Sequence, residues 1–356
     1  MASNLETLAS IDYRPPVPRT FRPGIGLIGC GGIAVEHLTA YRHAGWEVRA
    51  LCDVRRKAAE QRAQQFYPAA KVYTDFRDLL RQPDIEVVDV ATHPMERPPI
   101  VEAALRAGKH VLSQKPFVLD LDVGERLADL ADARGLYLAV NQNGRWAPHF
   151  SFARQAVARG VLGKVFAAHL SCHWDHTWVE GTPFERIRHL ILYDYGIHWF
   201  DIVRCFIADE PVEVFARTAP AHGQRLKPHL LAATLIHFPT SHATLAFDAA
   251  LQAGPHDRTF LSATHGSLLS HGEDYHHQRL EVRLAAGTWS PRLEGRWFPD
   301  GFQGAMGELL CAIEEGRPTS INARDNLQSL ALCFAAVHSA DTGQPVKPGA
   351  IRSIDT

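Results

Sequence analysis

Three side chains in two short stretches have the chemistry needed to move a proton and to balance the charge left behind. Lys115 follows a buried apolar run, and its ammonium group can stabilise an alkoxide or polarise a carbonyl. Asp194 and His198 are four residues apart and Asp201 is three further on, so a helix would place all three on one face. A histidine can accept a hydroxyl proton while a carboxylate orients its ring. The pattern predicts an acid–base pair and a charge-stabilising lysine; a solvated lysine and a capped helix with a buried histidine are the structural alternatives.

An apolar strand pattern runs into a glycine-rich turn early in the chain. The turn has the form Gly29-x-Gly31-x-x-Ala34, which lets the backbone approach a pyrophosphate and starts a helix whose N-terminus faces it. Asp53 closes the next apolar run, about twenty residues further on, where a carboxylate accepts from a ribose hydroxyl and repels a 2′-phosphate. Arg55 and Arg56 are nearby groups that can reach such a phosphate. The stretch predicts a dinucleotide site that prefers NAD to NADP.

Strand-like and helix-like stretches alternate between residues 23 and 145, which is typical of a parallel Rossmann sheet. Buried strands are predicted over 85–92, 110–113 and 136–140, and helices over 58–66 and 120–134. Loops at the carboxyl ends of such strands line the ligand crevice. The residues expected to contact the dinucleotide are Gly29, Gly31, Gly32, Ile33, Asp53, Thr92, His93, Gln114, Lys115 and Asn143.

The second half of the chain has a different periodicity. Strands are predicted over 164–174, 212–218, 229–238, 242–251, 259–269 and 278–284, and the last of these alternates apolar with charged residues, as in an antiparallel sheet with one wet face. The expected organisation is a loose N-terminal arm (1–22), an α/β Rossmann domain (23–145), an α+β substrate-binding and oligomerisation domain with a large, mostly antiparallel open sheet (146–300), and C-terminal helices that pack back on the domains (301–356).

Composition excludes several classes of partner. Lys and Arg total 37 against 39 Asp and Glu, a formal net charge of −2, so no overall field draws the chain to nucleic acid or an anionic membrane. Six cysteines without CxxC spacing indicate reduced thiols rather than zinc or disulfides. Residues 1–20 lack the apolar core of a signal peptide or anchor, which favours the cytoplasm. His169, His173 and His176 do not share one face of a strand, so no metal site is predicted.

Three motifs together resemble the Gfo/Idh/MocA oxidoreductase family. They are GLIGCGGIA at 26–34, AGKHVLSQKP at 107–116 and DYGIHWFD at 194–201, and the resemblance covers nearly the whole chain. It implies a Rossmann domain that holds NAD or NADP, and a second domain whose open sheet carries the substrate pocket and the interface of a homodimer or homotetramer. The family's EKP lysine falls on Lys115, followed by a cis bond to Pro116, and its proton-transfer pair falls on Asp194 and His198.

Two positions depart from the family pattern. Gln114 stands where glutamate is usual, which removes a charge beside the nicotinamide ribose, and Arg97 stands where histidine is common. Both departures leave the catalytic residues Lys115, Asp194 and His198 in place. They bear instead on how tightly the cofactor is held.

The expected activity is oxidation of a sugar hydroxyl (aldose to lactone) or of a cyclitol hydroxyl, with hydride transfer to NAD. A redox-neutral NAD-using glycosidase of the same family and a non-catalytic nucleotide-sensing protein are the alternatives. The substrate is expected to be a small neutral carbohydrate, because the sequence offers no arginine cluster for a phosphate. Trp174 and His176 form either a wall of its pocket or part of an aromatic core, with equal support. The expected substrate contacts are Arg145, Trp146, Trp174 and His176.

Overall fold

A computed structural model describes residues 4–355, except for the side chain of Leu5. Residues 1–3 of the predicted arm and Thr356 of the predicted C-terminal segment lie outside the described residues. The chain forms two compact units, each built from several segments. The first unit comprises 1–14, 144–297 and 328–356, and the second comprises 15–143 and 298–327.

The second unit, here called the nucleotide unit, alternates strands and helices through most of its length. Its helices are α2 (Ala34–His43), α3 (Arg56–Phe66), α4 (Phe76–Leu80), α5 (Arg97–Arg106) and α6 (Leu121–Ala133), and its strands are β1 (Ile25–Ile28), β2 (Val48–Cys52), β3 (Lys71–Tyr73), β4 (Val87–Val90), β5 (His110–Ser113) and β6 (Leu138–Val140). All neighbouring pairs are parallel, in the order β3-β2-β1-β4-β5-β6. Because β1, β4 and β6 are buried throughout, the apolar runs in the sequence identified them. The predicted Rossmann sheet is confirmed.

The first unit, here called the sheet unit, is built on an eight-stranded sheet in the order β14-β13-β12-β11-β7-β10-β9-β8. Only β7 and β10 pair in parallel within it. The strands are β7 (Val165–His173), β8 (Glu213–Ala219), β9 (Leu231–His237), β10 (His242–Asp248), β11 (His256–Ala263), β12 (Gly266–Asp274), β13 (His277–Leu284) and β14 (Gly287–Trp289). Its helices are α7 (Pro148–Ala158), which the sequence pattern after Trp146 did not predict, and α8 (Ile197–Phe206), which contains His198 and Asp201 of the helix predicted from their spacing. The large, mostly antiparallel sheet is confirmed.

Two helices close the chain, as predicted. Helix α9 (Trp297–Glu315) is interrupted by extended backbone at Phe298, and α10 (Ala323–Thr342) follows it. None of the helices in residues 4–355 is long and apolar enough to cross a membrane. All six cysteines are free thiols, and only Cys205 is not fully buried.

The predicted single strand over 259–269 is wrong. The chain turns at Thr264 and His265, and β11 and β12 pair as an antiparallel hairpin on either side of that turn. The turn lacks the Asn-Gly or Asp-Gly dipeptide that usually marks a two-residue hairpin. The alternation on both sides therefore read as one strand.

The predicted loose arm is also wrong for the residues described. Its first part forms a short helix, α1 (Asn4–Ala9), with Leu8 buried, and the backbone oxygen of Asp12 accepts from the side chain of Gln155. Within the nucleotide unit, the carboxylate of Glu314 accepts from the backbone N–H groups of Arg19, Thr20 and Phe21. Hydrogen bonds thus fix the arm in both units.

A buried carboxyl group lies on the inner face of the large sheet. Asp257 of β11 is opposite Cys172 of β7, whose thiol is hydrogen-bonded to it, and its Oδ2 atom has no partner among the described residues. Burial raises the pKa of Asp257 from 3.8 to about 7, although the bond from Cys172 opposes the rise. The folded protein therefore keeps a proton on Asp257 that the unfolded chain releases at lower pH.

We predict that Asp257→Asn removes a pH-dependent destabilisation. Because the folded pKa is raised, the contribution of Asp257 to stability should fall as the pH rises from 3.8 to about 7 and stay at the lower level above that range. The difference in Tm between Asp257→Asn and wild type should grow in favour of the variant over the same range. Thermal unfolding at a series of pH values measures it. A difference that is constant with pH would contradict the assignment of this carboxyl group.

Candidate active site

The glycine-rich turn at the end of β1 is held by close backbone contact. Gly29 has φ 99°, and a Cβ atom there would lie 2.8 Å from the carbonyl carbon of Ala91. Cβ atoms at Gly31 or Gly32, in contrast, would meet no other atom within 4 Å. The first glycine is therefore required by the fold, whereas the next two leave open space beside the start of α2. This is the space that a pyrophosphate needs.

Asp53 anchors the same turn. Its Oδ2 accepts from the backbone N–H of Cys30 at 2.9 Å, and its Oδ1 accepts from the backbone N–H of Arg55 at 2.8 Å. The side chain of Arg55 is 71% exposed, and its Nε lies 3.4 Å from Oδ1. A carboxylate oxygen has room for a second donor, so these bonds leave acceptor capacity for a hydroxyl. Asp53 thus holds the glycine turn as well as offering an acceptor.

Polar atoms without protein partners occur at the carboxyl ends of β4 and β6. The Oγ1 atom of Thr92 and both amide atoms of Gln142 are buried and have no hydrogen-bond partner among the described residues. Asn143 begins a short helical turn directly after them, and His93 is exposed. Buried polar groups are nearly always paired, so these atoms fit a polar ligand such as the nicotinamide nucleotide. The sequence pointed to both loops but did not select Gln142.

The buried side chain of Arg97 connects the segment after β4 with the segment after β5. Its guanidinium group donates to the backbone oxygen of Thr92 at 2.5 Å and to that of Pro116. Its side chain thus joins the segment after β4 to the segment after β5. The arginine that replaces the family's usual histidine therefore has a backbone hydrogen-bond partner in each of the two segments.

Lys115 is half-buried between Gln114 and Pro116, and the predicted cis Lys115–Pro116 bond is confirmed. The backbone N–H of Lys115 donates to Oε1 of Gln114 at 2.7 Å. Gln114 is only 4% exposed, and its Nε2 lies 2.9 Å from Nε2 of His37. The side chain of Gln114 thus has interior partners, which argues against its predicted contact with the cofactor.

Asp194 and His198 belong to two different helical segments of the sheet unit. Asp194 is in a π-helical turn (Ile191–Tyr195), and His198 is in the first turn of α8. Gly196 separates the segments, and a Cβ atom there would lie 2.6 Å from the backbone oxygen of Leu192. The prediction of one continuous helix face is therefore wrong. The wide turn needs a glycine where it meets α8.

Asp201 is not part of the acid–base group that the spacing predicted. It forms a buried bidentate ion pair with Arg145, at 2.6 Å from Nε to Oδ2 and 2.7 Å from Nη2 to Oδ1, and it accepts from Ser329 at 2.8 Å. Such a pair fixes both side chains. The geometry gives Arg145 a structural role, which argues against its predicted contact with substrate.

An aromatic stack lies beside Asp194 and His198. Tyr195 is sandwiched between Trp174, at 3.9 Å between ring centroids, and Trp199, at 4.4 Å. The indole N–H of Trp174 donates to Nδ1 of His176 at 3.0 Å, so the ring proton of His176 is on Nε2 if the ring is neutral. Trp174 therefore packs in an aromatic core, on Tyr195, and at the same time orients the ring of His176, so its contacts agree with both the core and the pocket-wall interpretations.

The ring of Trp146 is covered by the guanidinium group of Arg154. The guanidinium carbon of Arg154 is 5.4 Å from the centroid of the Trp146 ring, and Trp146 is 5% exposed. A buried indole covered in this way offers little surface to a ligand. The structure therefore favours a packing role for Trp146 over the predicted wall of a sugar pocket.

Comparison with known proteins extends these observations. A model described as an oxidoreductase family with an NAD-binding Rossmann fold matches residues 24–142, and the C-terminal domain model of the same family matches 150–269. The chain belongs to the Gfo/Idh/MocA oxidoreductase family. The glycine turn, the open space beside it and the unpartnered polar atoms all fit NAD, the cofactor of this family's Rossmann domain.

Individual members of the Gfo/Idh/MocA family are distant in sequence. The chain is 28% identical to D-apiose dehydrogenase from Paraburkholderia graminis, over 90% of this chain and 88% of that protein. It is 26% identical to 1,5-anhydro-D-fructose reductase from Ensifer adhaerens, over 90% and 96%. A crystal structure of an oxidoreductase from Agrobacterium radiobacter with NAD+, L-tartaric acid and magnesium superposes with a TM-score of 0.83 at 24% identity, over 93% and 99%. That superposition shows the shared fold.

We predict that Gly31→Val weakens NADH binding without weakening the fold. A Cβ atom at this position meets no other atom within 4 Å, and the branched side chain occupies the space assigned to the pyrophosphate. NADH affinity, measured by fluorescence titration, should fall roughly tenfold or more, a loss of about 1.4 kcal/mol or more, while Tm is unchanged. Ala69→Val, which creates the same side chain by adding two carbon atoms at an exposed turn position of this unit, is the control. Wild-type affinity in Gly31→Val would place the pyrophosphate elsewhere.

Proposed function

We propose that the protein is an NAD-dependent dehydrogenase that oxidises a hydroxyl group of a sugar, most simply an aldose to its lactone, or of a cyclitol. The observation that carries the proposal is Lys115, held by a backbone hydrogen bond at the carboxyl end of β5 in the NAD-binding unit. A cation at that end of a dinucleotide-binding sheet suits stabilisation of a developing alkoxide. Relatives named for D-apiose and 1,5-anhydro-D-fructose support a carbohydrate substrate.

We assign the roles in the reaction as follows. NAD would supply the hydride acceptor for the carbon that carries the hydroxyl group. The ammonium group of Lys115 stabilises the oxygen as its charge develops, and His198 takes the hydroxyl proton. Asp194, in the turn just before His198, is assigned as the carboxylate that orients the imidazole ring. Asp53 and the glycine turn would hold the adenosine ribose and the pyrophosphate.

The engagement of two buried guanidinium groups, one in each unit, supports a neutral substrate. The guanidinium group of Arg145 is engaged by Asp201, and that of Arg97 is engaged by backbone oxygens. Neither offers the open fork that captures a phosphate or carboxylate. Trp174 and His176 supply instead an aromatic face and a ring N–H for the C–H and hydroxyl groups of a sugar ring.

We also propose that the chain forms a homodimer or homotetramer through the outer face of the large sheet. Along β9 the residues alternate between buried and outward positions, and outward-facing Leu235 is 44% exposed. The family resemblance implies an interface on this sheet, and Leu235 is an exposed apolar side chain that a second copy would cover.

A panel of neutral aldoses and cyclitols, followed by NADH absorbance, tests the proposed activity. At least one neutral sugar should produce NADH in stoichiometric amounts with an oxidised product. Release of an aglycone with no accumulation of NADH would indicate the redox-neutral glycosidase. NADH binding with no turnover of any substrate would indicate a nucleotide sensor, and far better turnover of sugar phosphates or sugar acids would contradict the neutral ring.

We predict that Lys115→Met and His198→Gln each lower kcat by roughly 100- to 10,000-fold, because each removes a group that acts in the transition state. NADH affinity and Tm should remain close to wild type in His198→Gln. Lys57→Met and His222→Gln, at exposed positions in the two units, are matched controls that should turn over normally. Near-normal kcat in either Lys115→Met or His198→Gln would remove that residue from the mechanism.

A further inference from the structure

A chain of buried polar side chains runs beneath the sheet of the nucleotide unit and ends at Lys115. Nδ1 of His37, on α2, is 2.6 Å from Oδ2 of Asp89, on β4, and the hydroxyl group of Tyr41 donates to the same oxygen at 2.6 Å. Nε2 of His37 meets Nε2 of Gln114 at 2.9 Å. The side chains of His37 and Asp89 are 0% exposed. None of these groups has a role in the proposed proton or hydride transfer.

The direction of each hydrogen bond follows from the first one. The backbone N–H of Lys115 can only donate, so the atom of Gln114 that receives it, at 2.7 Å, is the amide oxygen. The other end of the amide is then an NH₂ group, which donates to Nε2 of His37. An imidazole nitrogen that accepts carries no proton. His37 is therefore neutral, and its single ring proton is on Nδ1, where it donates to Asp89.

We propose that Asp89, His37 and Gln114 form a positioning chain for Lys115, and that glutamine at position 114 keeps His37 neutral. The chain fixes the amide oxygen of Gln114 and hence the Lys115 backbone from which the ammonium group extends. A glutamate at position 114, the usual family residue, would present only acceptors. It would require a proton on Nε2 of His37, which would make the ring an imidazolium. This proposal rests on the proposed role of Lys115.

The groups around His37 restrict its ring to two states, the neutral form protonated on Nδ1 and the imidazolium. On its own helix it has Tyr41 and the neighbouring Glu36, and from α9 the ring of Phe302 lies 4.7 Å away. The side-chain nitrogen of Asn141, the residue after β6, is 3.5 Å from Nε2. Burial, and then the charge of Asp89, raise the pKa of Tyr41, so this hydroxyl group remains a donor. The ring can therefore gain a proton only where a new acceptor faces Nε2.

The test compares wild type with Gln114→Glu, a nearly isosteric change that keeps an acceptor for the Lys115 N–H. Histidine ¹⁵N NMR should show His37 as the neutral Nδ1–H tautomer in wild type and as doubly protonated in Gln114→Glu near neutral pH. The kcat of Gln114→Glu should acquire an additional fall on the alkaline side, because loss of the His37 proton sets a carboxylate against a bare ring nitrogen. Wild type should lack that fall.

Two further variants separate positioning from general damage. Gln114→Met removes the acceptor for the Lys115 N–H, and kcat should fall roughly 10- to 100-fold at every pH with little change in KM, because a small displacement of a catalytic group has that effect. His110→Asn, at the opposite end of β5, is the control and should keep the wild-type pH profile. A protonated His37 in wild type, or a neutral His37 and an unchanged profile in Gln114→Glu, would overturn the proposal. The NMR result holds or fails even if no sugar is oxidised, so failure of the proposed function is distinguishable.

Discussion

The nucleotide-binding surface depends on how closely the backbone passes at the end of β1. Gly29 passes so near Ala91 that only a residue without Cβ fits, and its N–H donates to the backbone oxygen of Cys52 at 2.8 Å. That approach directs the next N–H, from Cys30, to Asp53. Three neighbouring strand ends therefore fix one short turn. The binding surface can consist of backbone and open space because the strands around it are rigid.

In the sheet unit, packing of aromatic rings has the corresponding role. Asp194 and Tyr195 end a π-helical turn, which alone is a weak element. Stacking of Tyr195 between Trp174 and Trp199 holds that turn against the residue that follows β7 and against α8. Aromatic pairs of this kind contribute about 0.5–1.5 kcal/mol each beyond their buried area. The position of the proposed acid–base pair thus comes from rings that take no part in the chemistry.

The fold was predictable where burial alone decides the sequence. Strand β5 was predicted with its observed ends, His110 and Ser113, because both faces of a parallel strand must be apolar. The hairpin at Thr264 was missed because its turn residues are ordinary and both flanking strands alternate in the same way. The helix through Asp194 and Asp201 was misjudged for another reason. A π-turn and a glycine change the angle between residues, and spacing in the sequence carries no sign of it.

The sequence predicted which residue types occur at the site, but not the hydrogen-bond and ion-pair partners of those side chains. The ion pair between Arg145 and Asp201 joins residues 56 apart, so no local pattern could show that this guanidinium group is already engaged. The sequence likewise could not show the partners of Gln114 and Arg97, and it indicated only a change of residue type beside a cofactor at each position. Both side chains turn inward, one to His37 and Lys115, the other to the backbone after β4 and β5. A residue next to a catalytic lysine can therefore act on it through the backbone, and its effect then depends on which atoms donate and which accept.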